Sequence, residues 1–524
     1  MFTTIAVGVL GVWVLGGAGA GPGYNFLVLG GGSEPEHNEI ALEKNARYFQ
    51  RTLRVFGGDP AEASLYFANG DDGQETVRYL DSDRRERFKA PELPHLKGPS
   101  TRASFQQWLG RTLQERPQRP IFLYFTGHGG LNNDNPDNNY LYLWDERSLS
   151  VRTLSRALDR LSPETPVVAV MSQCFAGSFA NFIYQGGDPL EPVAAQARCG
   201  FFATVKRRPS VGCSPEVDEA DYRDYSSSFF AGLSGHNRVG EPVASADYDG
   251  DGRISFAEAH AFAKVDARTF DWPVSTAEVW LQRQASREEE LEVSARPILE
   301  LLPRARPEQR HVIEALAQRL GLELGLSLEQ SDSQLSRVMT NDEQTAYAVR
   351  LWMELIHLSM EAKVRAKGEP RKLAVLDRLL ACERGSWHEQ PAVTAFPQEE
   401  EEERAPSAFA SLCGSEEEGG TPHRIATRSH EKAAKGGKPW TPRFRELFAR
   451  AGMSLDDPSN LIYLQEHAGP HPEKYHQEIY DRLQGTLEGC GDEATCGEVL
   501  RMALRRLAVE LCTPDTSLSS LVSW

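Results

Sequence analysis

Two short segments bring together residue types that do nucleophilic chemistry. Thr126-Gly127-His128-Gly129-Gly130 closes one apolar run, and Ser172-Gln173-Cys174-Phe175-Ala176-Gly177 closes a later one. A thiol beside an imidazole is the minimum for an activated sulfur nucleophile. The ring takes the thiol proton or stabilises the thiolate, then protonates a leaving amine. Gly129 lets the backbone approach a substrate closely, and the N–H groups of Gly129 and Cys174 are candidates for an oxyanion hole. Taken singly, each residue has a plainer reading, Cys174 as a small buried hydrophobe and His128 as a polar turn residue. Their shared position, each just past an apolar run, favours the His128–Cys174 dyad.

A third segment, Asp247 to Glu258, matches the EF-hand calcium loop at every ligand position. Asp247, Asp249 and Asp251 supply oxygens, Gly252 makes the sharp turn and Arg253 offers its carbonyl. Ser255 acts directly or through water, and Glu258 binds through both oxygens. A single unpaired loop implies a structural Ca2+ rather than a sensor; the plainer reading is an acidic turn. An exit helix is expected from Glu258 to Asp266. Gly235, Gly240 and Pro242 upstream argue against the usual entering helix. Gly30-Gly31-Gly32 lacks the spacing of a phosphate-binding loop, and no Gly-Lys-Ser/Thr follows, so no nucleotide site is expected there.

These residues need elements to hold them. Apolar runs at Phe26–Leu29, Leu65–Phe67, Ile121–Phe125 and Val167–Met171 alternate with helical patterns at Ile40–Phe56, Ser104–Leu113 and Leu149–Leu161. Such alternation predicts an α/β fold with a mostly parallel sheet covered on both faces. In an open parallel sheet, ligands bind beyond the carboxyl ends of the strands, where His128 and Cys174 both fall. From about 293 to 390 the pattern is helical only, with Thr340 and Glu343 as a possible capping box before a long helix reaching about Ala366. Glu399–Glu403 is an unbroken acidic run. Arg424, Arg428, Lys432, Lys435 and Lys438 then form a basic cluster, and the plain reading of 394–440 is a solvated charged linker. From Thr441 onward the pattern is helical again.

The chain has 524 residues, 40% of them hydrophobic, enough for two to four domains and too many for a disordered chain. Its 57 Lys and Arg against 75 Asp and Glu give a net charge of −18. That balance argues against nucleic-acid binding, which needs a basic face. Ile5–Leu15 is apolar and is followed by Ala18 and Ala20 in a small-x-small arrangement, the pattern of a signal peptide over residues 1–20, although no Lys or Arg precedes the run. The run is too short to span a bilayer. The expected protein is therefore exported, periplasmic or secreted, with no membrane span. Export permits disulfides, and Cys199 with Cys213 is a plausible pair. No two CxxC elements occur, so structural zinc is not expected.

YFTGHGG and MSQCFAGSF resemble the His and Cys motifs of caspase-like cysteine peptidases, most closely the legumain branch. The resemblance extends over about 24–235 and includes FLVLGGG and the Tyr66–Asp72 stretch. It implies a caspase-like three-layer sandwich, with His128 as catalytic histidine and Cys174 as nucleophile. Caspases carry Gln-Ala-Cys and legumains Glu-Ala-Cys where this chain has Ser172-Gln173-Cys174, so substrate preference does not transfer and Ser172 is only a candidate pocket residue. Asp224-Tyr225-Ser226-Ser227-Ser228-Phe229 loosely resembles the legumain segment holding an acidic pocket residue. Asp224 is thus a candidate for recognising the residue before the cut; alternatively it is an Asp at a helix N-terminus, which the following Phe229-Phe230-Ala231 fits.

The expectation is an exported cysteine endopeptidase acting on protein or peptide. Residues 1–20 form the signal, 21–292 the peptidase domain with its calcium loop, 293–393 a helical region, 394–440 the linker and 441–524 a helical C-terminal region. By analogy with legumains, that last region is expected to be an inhibitory prodomain of a zymogen. The other readings are an inactive caspase-like calcium-dependent binding module and a peptide transpeptidase.

Overall fold

The computed structural model describes residues 23–145, 147–387, 421–431, 439–464, 471–487, 493–512, 516 and 518–521. The expected signal peptide and most of the expected 394–440 linker lie outside these residues. The chain divides into two compact units, Met1–Pro397 and Gln398–Trp524.

In the first unit, six strands form one sheet in the order β6-β5-β4-β3-β1-β2. They are β1 (Asn25–Gly31), β2 (Ser64–Phe67), β3 (Ile121–Gly127), β4 (Val167–Met171), β5 (Arg198–Phe202) and β6 (Val274–Ser275). All neighbours run parallel except β5 and β6. Every residue of β1, β3, β4 and β5 is buried, which is why β1, β3 and β4 carry apolar runs; β5, with Arg198 and Gly200, carries no such run and was not expected as a strand.

Alternate side chains enter two separate cores. Leu27, Leu29, Leu123 and Phe125 pack against α2 (Arg102–Thr112) and α3 (Val151–Leu158) through Phe105, Trp108, Leu154 and Leu158. Phe26, Val28, Phe122 and Tyr124 pack against α1 (Ile40–Val55), α4 (Tyr225–Ser234) and α5 (Phe256–Asp266) through Phe49, Leu53, Phe229 and Phe256. The result is three layers around an α/β sheet.

After β6 come α6 (Thr276–Gln282) and α7 (Arg287–Ala295), and the region after 292 continues helical as expected through α8 (Pro307–Arg319), α9 (Asp342–Lys367) and α10 (Pro370–Glu383). Asn341, not Thr340, caps α9, accepting from the N–H of Gln344 at 2.9 Å. These helices do not form a separate body. Val312, Leu316, Leu351 and Leu355 share a core with the sheet. Arg350, buried, donates to the carbonyls of Lys264, Ala267, Thr269 and Asp271, ending α5 on α9. Trp387 inserts among Phe26, Phe49 and Phe122 at 5.1–5.7 Å between ring centres. A buried disulfide joins Cys199 on β5 to Cys382 on α10, so the expected Cys199–Cys213 pair does not form and Cys213 is a free thiol.

The second unit holds an antiparallel pair, β7 (Thr421–Arg424) and β8 (Leu461–Leu464), with α11 (Trp440–Ala449), α12 (Glu473–Thr486) and α13 (Glu493–Cys512). Trp440, Phe444, Phe448, Ile479, Leu483, Leu500 and Leu504 form its core. Residues expected to be linker, from Thr421 to Glu431, thus belong to a folded unit. β7 escaped the sequence pattern because it is four residues long and contains Pro422, which speaks against a strand. Among the described residues no helix is long and apolar enough to cross a membrane.

Candidate functional site

The first unit gathers its reactive groups beyond the carboxyl ends of β1, β3 and β4. Gly129 stands there for lack of room: the Cys174 carbonyl occupies the place a Cβ would take. Phe175, next to Cys174, adopts φ 59°, a left-handed backbone that costs a non-glycine residue about 1 kcal/mol. His128 directs its Nε2 to the Glu39 carboxylate at 3.0 Å and its Nδ1 to the sulfur of Cys213 at 3.6 Å. Cys174 is held otherwise. Its sulfur accepts the Ser210 N–H at 3.3 Å and lies 3.5 Å from the Ser210 carbonyl. Burial opposes charge on His128, but Cys213 and Glu39 on its two nitrogens outweigh it and lift the ring to about 11. Burial likewise opposes charge on Glu39, and His128 with Arg78 overcomes it, holding that carboxyl below its ordinary range. Sequence reasoning missed Glu39 and Cys213, because nothing in their local pattern points to His128.

The two expected pocket residues are engaged internally. The Ser172 hydroxyl donates to the Phe125 carbonyl at 3.1 Å, and the Ser172 backbone carbonyl accepts from the Ser210 hydroxyl at 3.0 Å. Asp224 is the N-cap of α4, accepting from the N–H of Ser227 at 3.1 Å and from the hydroxyls of Ser226 and Ser227. It is 2% exposed and paired with Arg238 at 3.2 Å, so its charge is already compensated within the fold. This is the helix-cap arrangement, and it leaves Asp224 no exposed carboxylate for an incoming cation.

The segment 247–258 is a loop tied by its own acids. Asp247 accepts from the N–H groups of Gly250 and Gly252, and Asp249 from that of Asp251. Asp251 accepts from the N–H of Arg253 at 2.8 Å. Gly252 has φ +84°, and no other residue type takes that turn as easily. Glu258 reaches back to the N–H groups of Tyr248 and Ser255, each at 2.8 Å, while Ser255 caps α5. Oxygens of Asp247, Asp249 and Glu258 lie within 4.8 Å of one another, a spacing that fits a cation. Asp251 is not in that group.

The second unit brings together a different set. His423 lies on β7, opposite Ile462 of β8. Asn460 anchors the strand's exit, donating to the carbonyls of Ala426 and Leu455 at 2.9 Å each and accepting the Ala426 N–H at 2.7 Å. His471 lies two residues before α12, and Tyr475 in its first turn. Nε2 of His423 meets the Tyr475 hydroxyl at 2.8 Å, and that hydroxyl donates to the Ile425 carbonyl at 3.0 Å. A carbonyl only accepts, so the one hydroxyl proton goes to Ile425, and His423 must carry its own proton on Nε2. Nδ1 of His423 is then the lone pair, and it faces Nε2 of His471 at 3.1 Å. Beside them His430 and His476 stack with 4.5 Å between ring centres. His476 is 1% exposed; burial first, then the neighbouring His430 and His471, lower it to about 4. Among the described residues no third carboxylate, thiol or imidazole completes a cation site with His423 and His471.

Comparison with known proteins points to the same unit. Residues 414–511 match the model of AHH, a nuclease family of the HNH/ENDO VII superfamily with conserved AHH. The match spans under a fifth of the chain, and the tripeptide Ala-His-His itself does not occur in it. No curated protein matches the chain.

These findings correct the functional expectations. The family match is to a nuclease, with none to caspase-like or legumain peptidases, so the resemblance of the two short motifs does not extend to family. The endopeptidase, transpeptidase and binding-module readings fall with it. The C-terminal region expected as a prodomain is where the nuclease match lies. The exclusion of nucleic acid also fails. Whole-chain charge concealed a local excess: residues 421–450 hold eight Lys or Arg against two Glu, a net of +6. The missed signal was histidine density, since five of the chain's 13 fall within 414–511.

Proposed function

We propose that this chain cleaves phosphodiester bonds in nucleic acid, with the chemistry at His423 in the second unit. The observation that carries the reading is the directed series His471, His423, Tyr475 and the Ile425 carbonyl, within the span matched by the nuclease family. Tyr475 fixes the tautomer, which makes Nδ1 of His423 a general base. As substrate binds, His471 turns its N–H from Nδ1 to a phosphate oxygen; a water then loses its proton to Nδ1 as its oxygen attacks phosphorus, and the departing oxygen leaves as an alcohol, taking a proton from solvent. His471 adjoins the same nitrogen and is placed to donate to a phosphate oxygen. The cationic segment 421–450 supplies attraction for the phosphate backbone, independent of sequence.

The test is incubation of the full chain with duplex DNA, single-stranded DNA and RNA, in Mg2+, Mn2+ or EDTA. Wild-type protein cuts at least one substrate. His423→Ala loses about 10²–10⁴ of the rate, the usual contribution of a general base. Equal cutting by the variant would sink the assignment.

Two further readings concern the first unit. The loop 247–258 holds a structural Ca2+, supported by the convergence of Asp247, Asp249 and Glu258. The protein is exported, a reading supported by the buried Cys199–Cys382 disulfide.

A further inference from the structure

Cys213 stands between β5 and α4, outside any regular element, and is exposed to solvent. Its sulfur faces Nδ1 of His128 at 3.6 Å, and the opposite ring nitrogen faces Glu39 at 3.0 Å. Glu39 is buried, and Arg78 binds its other oxygen at 2.8 Å, so the carboxylate is fixed in place and charged. A carboxylate that accepts from Nε2–H leaves Nδ1 as the lone pair. Here that lone pair faces a thiol. Burial pushes the Cys213 thiol up and His128 pulls it down; transfer of the thiol proton to the ring gives a thiolate beside an imidazolium, the reactive state of cysteine.

These three groups also lie close enough together to suggest a metal site. A bound ion would take the Cys213 sulfur as a ligand and compete with thiol chemistry, so the test below is run in EDTA.

A second thiol adjoins the first. Cys174 receives the N–H of Ser210, three residues before Cys213 in the same loop, and lies close enough that negative charge on it pushes the Cys213 thiol up.

We propose that Cys213 is a hydroperoxide-reactive thiol and that Cys174 resolves it, giving a reversible Cys174–Cys213 disulfide. The Cys213 thiolate attacks the terminal oxygen of the hydroperoxide, and the O–O bond breaks. Cys213 becomes a sulfenic acid, and the alkoxide leaves as the alcohol with the proton held by His128. The Cys174 sulfur then displaces hydroxide from the sulfenic sulfur; its own proton departs with that hydroxide as water. The two thiols supply the two electrons that reduce the peroxide. The chemistry is independent of phosphodiester cleavage and belongs to the other unit.

The test treats the full chain with hydrogen peroxide, blocks remaining thiols and maps the peptides by mass. A linked Cys174–Cys213 peptide is expected, and a reductant removes it. Cys174→Ser accumulates the sulfenic acid on Cys213, read as a dimedone adduct; Cys213→Ser gives no such adduct. His128→Asn slows the adduct about tenfold, equivalent to one pKa unit of thiolate stabilisation. Wild-type protein with no linked peptide overturns the proposal, as does a dimedone adduct on Cys174 alone or an adduct rate indifferent to His128→Asn. The wild-type map decides the matter even where a variant fails to fold.

Discussion

The hydroxyl of Tyr475 sits 2.8 Å from Nε2 of His423 and sends its own proton to the carbonyl of Ile425. Tyr475 therefore decides which nitrogen of His423 is basic. It never needs to touch a substrate to do so.

Tyr475→Phe keeps the ring in the core and removes that control. Without the hydroxyl, His423 can protonate either nitrogen, and part of the population presents the wrong one. Cleavage should fall by roughly ten- to a hundredfold, less than the loss on removing the base itself. Single-turnover cutting by Tyr475→Phe, compared with His423→Ala, checks the order. Equal losses in the two variants would mean that the hydroxyl does more than set the tautomer.

His476 should make the second unit acid-sensitive. Its folded pKa of about 4 lies below the ordinary 6.5, so the unfolded chain binds the proton first. Stability from this residue is complete above 6.5 and is lost as pH falls from 6.5 toward 4. The loss is about 2 kcal/mol at pH 5 and about 3 when complete. His476→Leu, similar in volume and unable to titrate, should flatten the dependence. Urea melts of the second unit's signal at pH 7.5 and 5 measure it.

Calcium should raise the melting temperature of the first unit. At a hundred times the dissociation constant the gain is about 2.7 kcal/mol. Glu258→Gln should abolish the gain while keeping the cap on α5 largely intact. A melt unchanged between Ca2+ and EDTA in the wild type would leave 247–258 as an acidic turn. Because Tyr248 stacks on His311 of α8 at 4.0 Å, the ion's effect should reach the helical region as well.

Arg238→Met should unfold the chain at lower denaturant. It leaves Asp224 buried without its counter-charge, a change that costs about 3–5 kcal/mol when nothing relaxes. Asp224→Asn in the same background should recover part of the loss, because the amide oxygen still caps α4. Failure of that recovery would argue that Asp224 matters for something other than the cap and the ion pair.

The sheet was legible because strands buried on both faces must be apolar throughout, as in Val167–Met171. Short-range signals also served well: α1 and α5 end where the pattern placed them, within a residue or two. What failed was long-range or local in the wrong way. Cys199 and Cys382 lie 183 residues apart, and no spacing rule pairs them. The His128 motif named one partner, yet its ring nitrogens meet Glu39 and Cys213, which only the turn after β1 and the loop after β5 deliver. The second unit was misread for two reasons. Pro422 disguised the strand that carries His423, and a net charge summed over 524 residues erased a basic segment of thirty.

The Cys199–Cys382 bond has a consequence for how the chain survives damage. Strand β5 lies near the middle of the first unit's sequence, and α10 lies near its end. Any single cut by a protease between them leaves both fragments covalently tied. A nicked molecule would therefore run at full size on a non-reducing gel and fall into two pieces only with reductant. In an environment rich in proteases, wear on the surface loops between residues 203 and 381 would accumulate without shedding the helices that complete the sheet's core.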